Sequence, residues 1–214
     1  MYSRLALTVA SDKSFAISGV ERRLAKIFHT KVAYGILENH LHRSLMWRRS
    51  GDKMMGRIKY PTNREVPSWS WMVYHGEISY LSIPPEKVEW NNSIQFTFTS
   101  GQQEGSDHCE QNGDDASHAE LKAPVIGFSE DEMGKEEWRL ILDDRDTADI
   151  RNLKCIIVGR RILKEGDNEQ DHYILVVAQR FSRGVGIGYE RVGVGSVQSR
   201  HISMEGVGLV MSII

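Results

Sequence analysis

Long apolar runs and a surplus of charge of either sign are both missing from this sequence of 214 residues. The formal net charge is only −2, which argues against non-specific nucleic-acid binding because that function requires a strongly basic surface. No apolar run approaches the ~20 residues that span a membrane, and the mildly apolar N-terminus has no clear signal-peptide cleavage site. We therefore expect a cytoplasmic protein that binds neither nucleic acid nor membrane.

Cysteine is scarce as well. The two cysteines lie in different settings, Cys109 in a polar acidic segment and Cys155 in an apolar strand pattern. They are poor partners for a disulfide, which agrees with a reducing compartment. Hydrophobic residues make up 40% of the chain and charged residues 26%, which is typical of a globular domain large enough to form a core without metal or disulfides.

The first 50 residues have helical periodicity. Apolar residues three and four apart predict a helix over residues 11–28, although Gly19 weakens its continuity. The residues expected to face the core are Ile17, Val20, Leu24 and Ile27. A second helix is expected over about residues 39–47. Its inward residues are Leu41, Leu45 and Met46.

After Gly51 the pattern changes to period two and short apolar runs, which are typical of strands. The candidate strands are Trp69–Tyr74, Glu77–Ser82, Ser93–Thr99, Glu137–Leu142, Leu153–Arg160, Tyr173–Gln179 and Tyr189–Val197. His75-Gly76 predicts a tight hairpin turn between the first two. We expect an α+β fold, with a helical segment (1–50) packed on a β-rich domain (51–214) as one compact unit. The domain would be a mostly antiparallel barrel or sandwich.

Side-chain patterns predict how these strands are covered. Ile94, Phe96 and Phe98 alternate with polar residues, which indicates a sheet with one solvent-facing side. The continuous apolar runs at 156–158 and 174–178 instead indicate strands covered on both faces.

Residues 101–120 form an acidic, almost apolar-free segment. Six acidic residues and no lysine or arginine occur there, so we expect a mobile surface insertion. His108, Cys109 and His118 in this segment are poorly spaced for a tetrahedral metal site. The sequence therefore predicts neither a metal nor another cofactor.

Four segments in order carry a family resemblance. They are Asp12-Lys13-Ser14-Phe15-Ala16-Ile17-Ser18-Gly19-Val20, Leu45-Met46-Trp47-Arg48, Val66-Pro67-Ser68-Trp69-Ser70-Trp71 with Gly76-Glu77-Ile78-Ser79-Tyr80, and Tyr189-Glu190-Arg191-Val192-Gly193-Val194-Gly195. Together they resemble the region that follows the HET domain in fungal heterokaryon-incompatibility proteins. The motifs of the HET domain itself are not found in the sequence. The resemblance implies descent from such proteins and a part in non-self recognition, without the activity of the missing domain.

Aromatic residues around the Pro-Ser-Trp-Ser-Trp segment are the candidate site. In a strand, Trp69 and Trp71 would point to the same face. They would form either the aromatic wall of a ligand pocket or, in the interpretation that we favour, anchors of the core. The residues expected to line a pocket are Trp47, Trp69, Trp71, Tyr74, His75, Tyr80 and Arg191.

Two adjacent charges interrupt the last long strand. In period two, Glu190 and Arg191 occupy opposite faces and Val192 shares the face of Glu190. One face must therefore bury or pair a charge. A buried charge would be a site candidate, whereas we favour an ordinary surface ion pair. Gly193 and Gly195 predict a bulge or a tight bend nearby.

Two functions of different class remain open. The first is a binding module related to non-self recognition, whose partner is an apolar small molecule or a protein. The second is a cofactor-independent enzyme of fungal natural-product biosynthesis, such as a cyclase, isomerase or pericyclase. Such reactions chiefly need positioning and a few hydrogen-bond donors, so no nucleophile motif is required. A closed apolar cavity would favour the enzyme, and a filled core with an exposed apolar surface would favour the binding module.

Overall fold

The computed structural model of the chain describes residues 8–51, 53–61, 65–99, 118–129, 139–144, 152–163, 166, 169–182, 186–203 and 209–214. Within these ranges there are two α-helices, α1 (Lys13–Phe28) and α2 (Leu41–Leu45). The strands are β1 (Val32–Ala33), β2 (Ile36–Leu37), β3 (Trp47–Arg49), β4 (Ile78–Tyr80), β5 (Val88–Trp90), β6 (Gln95–Thr99), β7 (His118–Pro124), β8 (Ile126–Phe128), β9 (Arg139–Leu142), β10 (Leu153–Arg161), β11 (Asp171–Ser182), β12 (Gly186–Gln198), β13 (Ile202–Ser203) and β14 (Val210–Ile213).

Helix α1 matches the predicted first helix closely in its bounds. A short 3-10 turn over Ala10–Asp12 precedes it, and His29 ends it in the left-handed conformation (φ 47°). Its packing differs from the prediction, since Ile17 is buried but Ile27 is 65% exposed. Only the N-terminal part of α1 is anchored in the core, so the expectation that Ile27 faces inward is wrong.

The segment after α1 forms a small hairpin that the sequence pattern did not predict. Strands β1 and β2 pair antiparallel around Tyr34 and Gly35. Both turn residues have positive φ angles, 50° and 77°, as a type I′ turn requires. Helix α2 then follows and is shorter than expected, because Trp47 already belongs to β3. The predicted burial of Leu41, Leu45 and Met46 is confirmed.

Ten strands form one large, mostly antiparallel sheet, so the predicted mixed fold of helices and antiparallel strands is confirmed. The strand order is β13-β8-β10-β11-β12-β14-β7-β6, and β5 and β9 pair with β10 and β12. Strands β12 and β14 pair in parallel. The other two sheets are the β1–β2 hairpin and the β3–β4 pair.

The central strands β10, β11 and β12 separate two apolar cores, which confirms the prediction from the continuous apolar runs that β10 and β11 are covered on both faces. Ile156 and Leu175 face a core that also contains Leu45 and Trp69. Cys155 and Ile174 alternate with them and face the opposite core, together with residues of β8. The prediction for β6 is also confirmed, since Ile94 is buried whereas Gln95 and Thr97 are exposed.

Three local predictions are wrong. Residues 69–74 are not a strand, because a 3-10 turn forms over Trp71–Val73 and the Ser70 hydroxyl accepts the amide N–H of Met72 at 3.1 Å. The predicted hairpin at His75-Gly76 does not exist, since β4 pairs with β3. The predicted acidic insertion ends earlier than expected because β7 begins at His118. Residues 101–117 lie outside the described residues.

A β-bulge interrupts β12 where the charged residues lie. Val177 of β11 is opposite Arg191 and Val176 is opposite Gly193, so Val192 is the additional residue. Strand β9 pairs with the other edge of β12 beside this bulge, with Leu142 opposite Gly193. A β-carbon on Gly193 would lie 2.6 Å from the carbonyl oxygen of Ile141. Glycine is therefore needed at this position for β9 to approach, and the predicted bulge is confirmed.

Candidate functional site

Arg191 is fully buried and is held by three segments of the chain. Its Nη1 donates to the carbonyl oxygen of Leu45 at 2.6 Å, and its Nη2 donates to that of Trp47. Its Nε donates to Oδ2 of Asp143 at 3.1 Å. The guanidinium carbon also lies 3.4 Å from the centroid of the Trp47 ring. These contacts join α2, β3 and the end of β9 to β12.

The surface ion pair that we favoured for this strand is wrong for both charged residues. Arg191 and Asp143 have no exposed surface, and Glu190 is only 3% exposed. Burial raises the pKa of Asp143, and the neighbouring guanidinium of Arg191 opposes this shift. On the opposite face, Glu190 forms ion pairs with Arg57 and Arg180. The two side chains occupy opposite faces, as predicted, since Arg191 is opposite Val177 and Glu190 is opposite Ala178, but both charges are buried.

Trp47 and Tyr74 complete this buried cluster. Their ring centroids are 5.9 Å apart, and Trp47 Nε1 donates to the carbonyl oxygen of Trp69 at 2.9 Å. Burial is the main cause of the raised pKa of the Tyr74 hydroxyl. Trp47, Tyr74 and Arg191 therefore form part of a filled core.

The two tryptophans of the Pro-Ser-Trp-Ser-Trp segment lie in different cores. Trp69 is fully buried and makes edge-to-face contacts with Tyr34 and Phe96, with ring centroids 5.6 and 5.5 Å apart. Trp71 packs instead with Trp47 and Ile17. The predicted shared face is wrong because the chain turns at Ser70. The core-anchor interpretation accounts for Trp69.

A half-open apolar groove of about 230 Å³ lies between α1, the β1–β2 hairpin and β4. Its lining residues are Ile17, Val20, Glu21, Leu24, Val32, Gly35, Leu37, Trp71, Ile78 and Tyr80. Of the seven residues predicted from the sequence, the groove brings together Trp71 and Tyr80. His75 is exposed and is not part of the groove lining.

Among the described residues that line the groove, Glu21 is the only one with a carboxyl group, and sequence reasoning missed it. Its Oε1 accepts the amide N–H of Gly35 at 2.5 Å. Burial raises the pKa of Glu21, and this hydrogen bond opposes the shift. The burial of Tyr34 and the nearby carboxylate of Glu21 together raise the pKa of the tyrosine. A signal was available, because Glu21 lies four residues after Ile17 and three before Leu24, within the apolar stripe.

Gly35 allows the groove wall to form. A β-carbon at this position would lie 2.9 Å from Cε2 of Trp71 and 3.2 Å from Cε of Met72. The glycine therefore lets the hairpin backbone lie against the indole ring. Its amide is also the group that fixes one oxygen of Glu21.

Lys13 anchors the start of α1 beside Trp71. Its Nζ donates to the carbonyl oxygen of Tyr74 at 2.7 Å and lies 4.7 Å from the centroid of the Trp71 ring. Lys13 is only 8% exposed, and burial lowers its pKa to about 8. A lysine holds Trp71 in place, and this was not predicted from the sequence.

The described residues contain no cluster of three or more His, Cys, Asp or Glu side chains suited to a metal ion. None of the helices in the described ranges has the length and apolar character needed to cross a membrane. Comparison of the sequence with models of known protein families, with curated proteins and with solved structures found no match in any of the three.

Proposed function

We propose that this chain is a binding module, and that the groove beside α1 accepts an apolar group of its ligand. The observation that carries this proposal is the apolar lining of the groove, in which Trp71 and Tyr80 form an aromatic wall. Its volume of about 230 Å³ lies below the ~300–1,000 Å³ of sites for drug-sized molecules. The groove therefore suits one ring or one alkyl chain.

The buried tryptophan cluster supports binding at the groove rather than at the centre of the fold. Trp47, Trp69 and Arg191 have no exposed surface, so a ligand cannot reach them without unfolding. Apolar surface is exposed on α1, where Phe15 is 67% exposed and Ile27 is 65% exposed. A filled core next to an exposed apolar surface is typical of a protein that binds a partner.

The family resemblance adds a biological context to the proposal. If the chain descends from the region that follows the HET domain, its binding would serve non-self recognition in the fungal cytoplasm. The expected barrel or sandwich belongs to the same proposal. Two apolar cores on opposite faces of β10–β12 support a layered arrangement of this kind.

Titration with 3-phenylpropan-1-ol, a neutral molecule with one ring and a short alkyl chain, tests the groove directly. Backbone amide NMR should show saturable shifts at groove residues such as Leu24 and Leu37. Val20→Phe, which fills the groove, should abolish these shifts. Ala16→Phe places the same side chain at an exposed position of α1 and should leave them unchanged. Absence of saturable shifts in the wild-type chain, or equal shifts in both variants, would contradict the proposal.

The alternative is a cofactor-independent enzyme that acts on an apolar small molecule. One observation favours it: Glu21 is a half-buried carboxyl group with a raised pKa in an apolar groove, which is a setting suited to general acid or base catalysis. Incubation with apolar fungal metabolites, followed by chromatography and mass spectrometry, would test it. An isomer formed by the wild-type chain but not by Glu21→Gln would support catalysis, whereas no product, or equal product with both, would count against it.

A further inference from the structure

The two carboxylate oxygens of Glu21 differ in their hydrogen bonding. Oε1 is held by the amide of Gly35. Oε2 has no hydrogen-bond or ion-pair partner among the side chains and backbone that the structure describes. The carboxyl group lies in the groove together with Trp71 and Tyr80, and aromatic faces attract cations. An anion and two aromatic rings therefore share one small apolar space.

The neighbouring cations do not neutralise this carboxylate. Lys13 precedes Glu21 by eight residues, so the backbones of the two residues are about 12 Å apart along the helix at ~1.5 Å per residue. Its ammonium is also engaged by the Tyr74 carbonyl and the Trp71 ring. Arg22 and Arg23 are exposed, and the helical rotation of ~100° per residue turns them away from Glu21.

We propose that the groove selects a ligand with an amine on an apolar stem, whose ammonium group pairs with Oε2 of Glu21 while its stem packs on Trp71 and Tyr80. This inference rests on the proposed binding function and adds the chemical class of the ligand. The Glu21 carboxylate should favour a cationic ligand over a neutral one, because a half-buried carboxylate in apolar surroundings lacks much of its hydration. An ammonium donor replaces that hydration with a charge-assisted hydrogen bond, which is stronger than the bond that a neutral hydroxyl makes.

Three probes of equal length separate this inference from the simpler apolar groove. They are 3-phenylpropylamine, 3-phenylpropan-1-ol and 3-phenylpropionate, which carry a cation, a neutral group and an anion on the same stem. We expect the amine to bind about tenfold more tightly than the alcohol and the carboxylate to bind most weakly. Glu21→Gln keeps an acceptor for the Gly35 amide but removes the charge. The variant should therefore bind the amine no more tightly than it binds the alcohol.

The outcomes distinguish the two proposals. Equal binding of amine and alcohol, or an amine preference that survives Glu21→Gln, would overturn the amine inference and leave the apolar groove standing. An amine preference that survives Val20→Phe would overturn it as well, because the amine would then bind outside the groove. If none of the three probes binds, both proposals fall.

An ammonium group on an apolar stem is found both in free amines and in the lysine side chains of proteins. A fourth probe, Nα-acetyl-lysine N-methylamide, separates these sources. Binding of this probe through Glu21 supports recognition of a lysine of a partner protein. Binding of 3-phenylpropylamine alone supports a small aromatic amine. Failure of both amines to bind overturns the inference.

Discussion

The central carbon of the Arg191 guanidinium lies 3.4 Å from the centroid of the Trp47 ring, and neither residue has any exposed surface. Stacking of this kind is favourable for arginine because its planar cation is weakly hydrated. The nitrogen atoms at the edge of the guanidinium remain able to donate to Leu45, Trp47 and Asp143. The contact thus lets one buried charge connect α2, β3 and β12 without losing its hydrogen bonds.

Replacing Arg191 by methionine should destabilise the protein by about 3–5 kcal/mol, because Asp143 would remain as an unpaired buried charge. Urea denaturation followed by circular dichroism measures this loss. The double variant Arg191→Met/Asp143→Leu removes both charges and should recover part of the stability. A double variant less stable than the single one would contradict this explanation.

Arg160→Met is the matched control for that prediction. Arg160 also pairs with a carboxylate, Glu89, at 2.8 Å, but both side chains are more than half exposed. Exposed ion pairs contribute little, so the change in the free energy of unfolding should stay within about 1 kcal/mol. A loss similar to that of Arg191→Met would show that burial is not what distinguishes the two arginines.

Two glycines should respond in opposite directions to alanine. Gly35 has a positive φ of 77° and lies against Trp71, so Gly35→Ala should destabilise the protein by about 1–3 kcal/mol. Gly19 lies within α1, and a β-carbon there would meet nothing within 4 Å. Gly19→Ala should therefore stabilise it by about 0.5–1 kcal/mol. Thermal unfolding of both variants checks the pair, and a shift of the same sign in both would contradict it.

Lys13 should make stability depend on pH in the alkaline range. Burial lowers the pKa of Lys13 from its ordinary value of 10.5 to about 8 in the folded protein. Between pH 8 and 10.5 the unfolded chain therefore binds more protons than the folded one. The contribution of Lys13 to the free energy of unfolding therefore increases as the pH rises through this range, by at most about 1.4 kcal/mol per pH unit. Below pH 8 both states are protonated and the contribution is constant.

The comparison with Lys13→Met isolates this contribution. The pKa of Cys155 is raised, which acts in the opposite sense above about pH 9, because the unfolded thiol ionises first. That effect is common to the wild-type chain and the variant, so their difference in free energy of unfolding reports on Lys13. A difference that does not change between pH 8 and 10 would contradict the prediction.

The sequence predicted well those elements whose pattern extends over many residues. Helix α1 follows from sustained periodicity, and β10 and β11 follow from continuous apolar runs; the positions of these elements agree with the structure. Residues 69–74 have an equally strand-like composition. There, however, one hydrogen bond from the Met72 amide to Ser70 favours a turn, and a local bond of this kind is not visible in a hydrophobic pattern.

The candidate site was less predictable, because the groove depends on contacts between distant segments. Trp71 and Tyr80 were expected at a pocket, but their partners on α1 and the β1–β2 hairpin were not. Tyr34-Gly35 is not one of the common type I′ pairs, so the hairpin gave no clear signal. The burial of the charges of β12 was misjudged because period-two alternation assigns each side chain to a face but does not show which segments cover that face. Distant segments cover Arg191, which donates to the carbonyl oxygens of Leu45 and Trp47.

Cys155 should be almost inert in the folded protein. It has no exposed surface, and burial raises its thiol pKa to about 12, so very little thiolate is present at pH 8. Iodoacetamide labelling followed by peptide mass spectrometry should show modification that increases with urea in parallel with unfolding. N-acetylcysteine in the same solutions serves as the reference for the intrinsic reactivity of a free thiol. Because β10 lies at the centre of the sheet, its opening should require global unfolding. Rapid labelling of Cys155 without denaturant, at a rate near that of the reference, would mean that the central strands open separately from the rest of the fold.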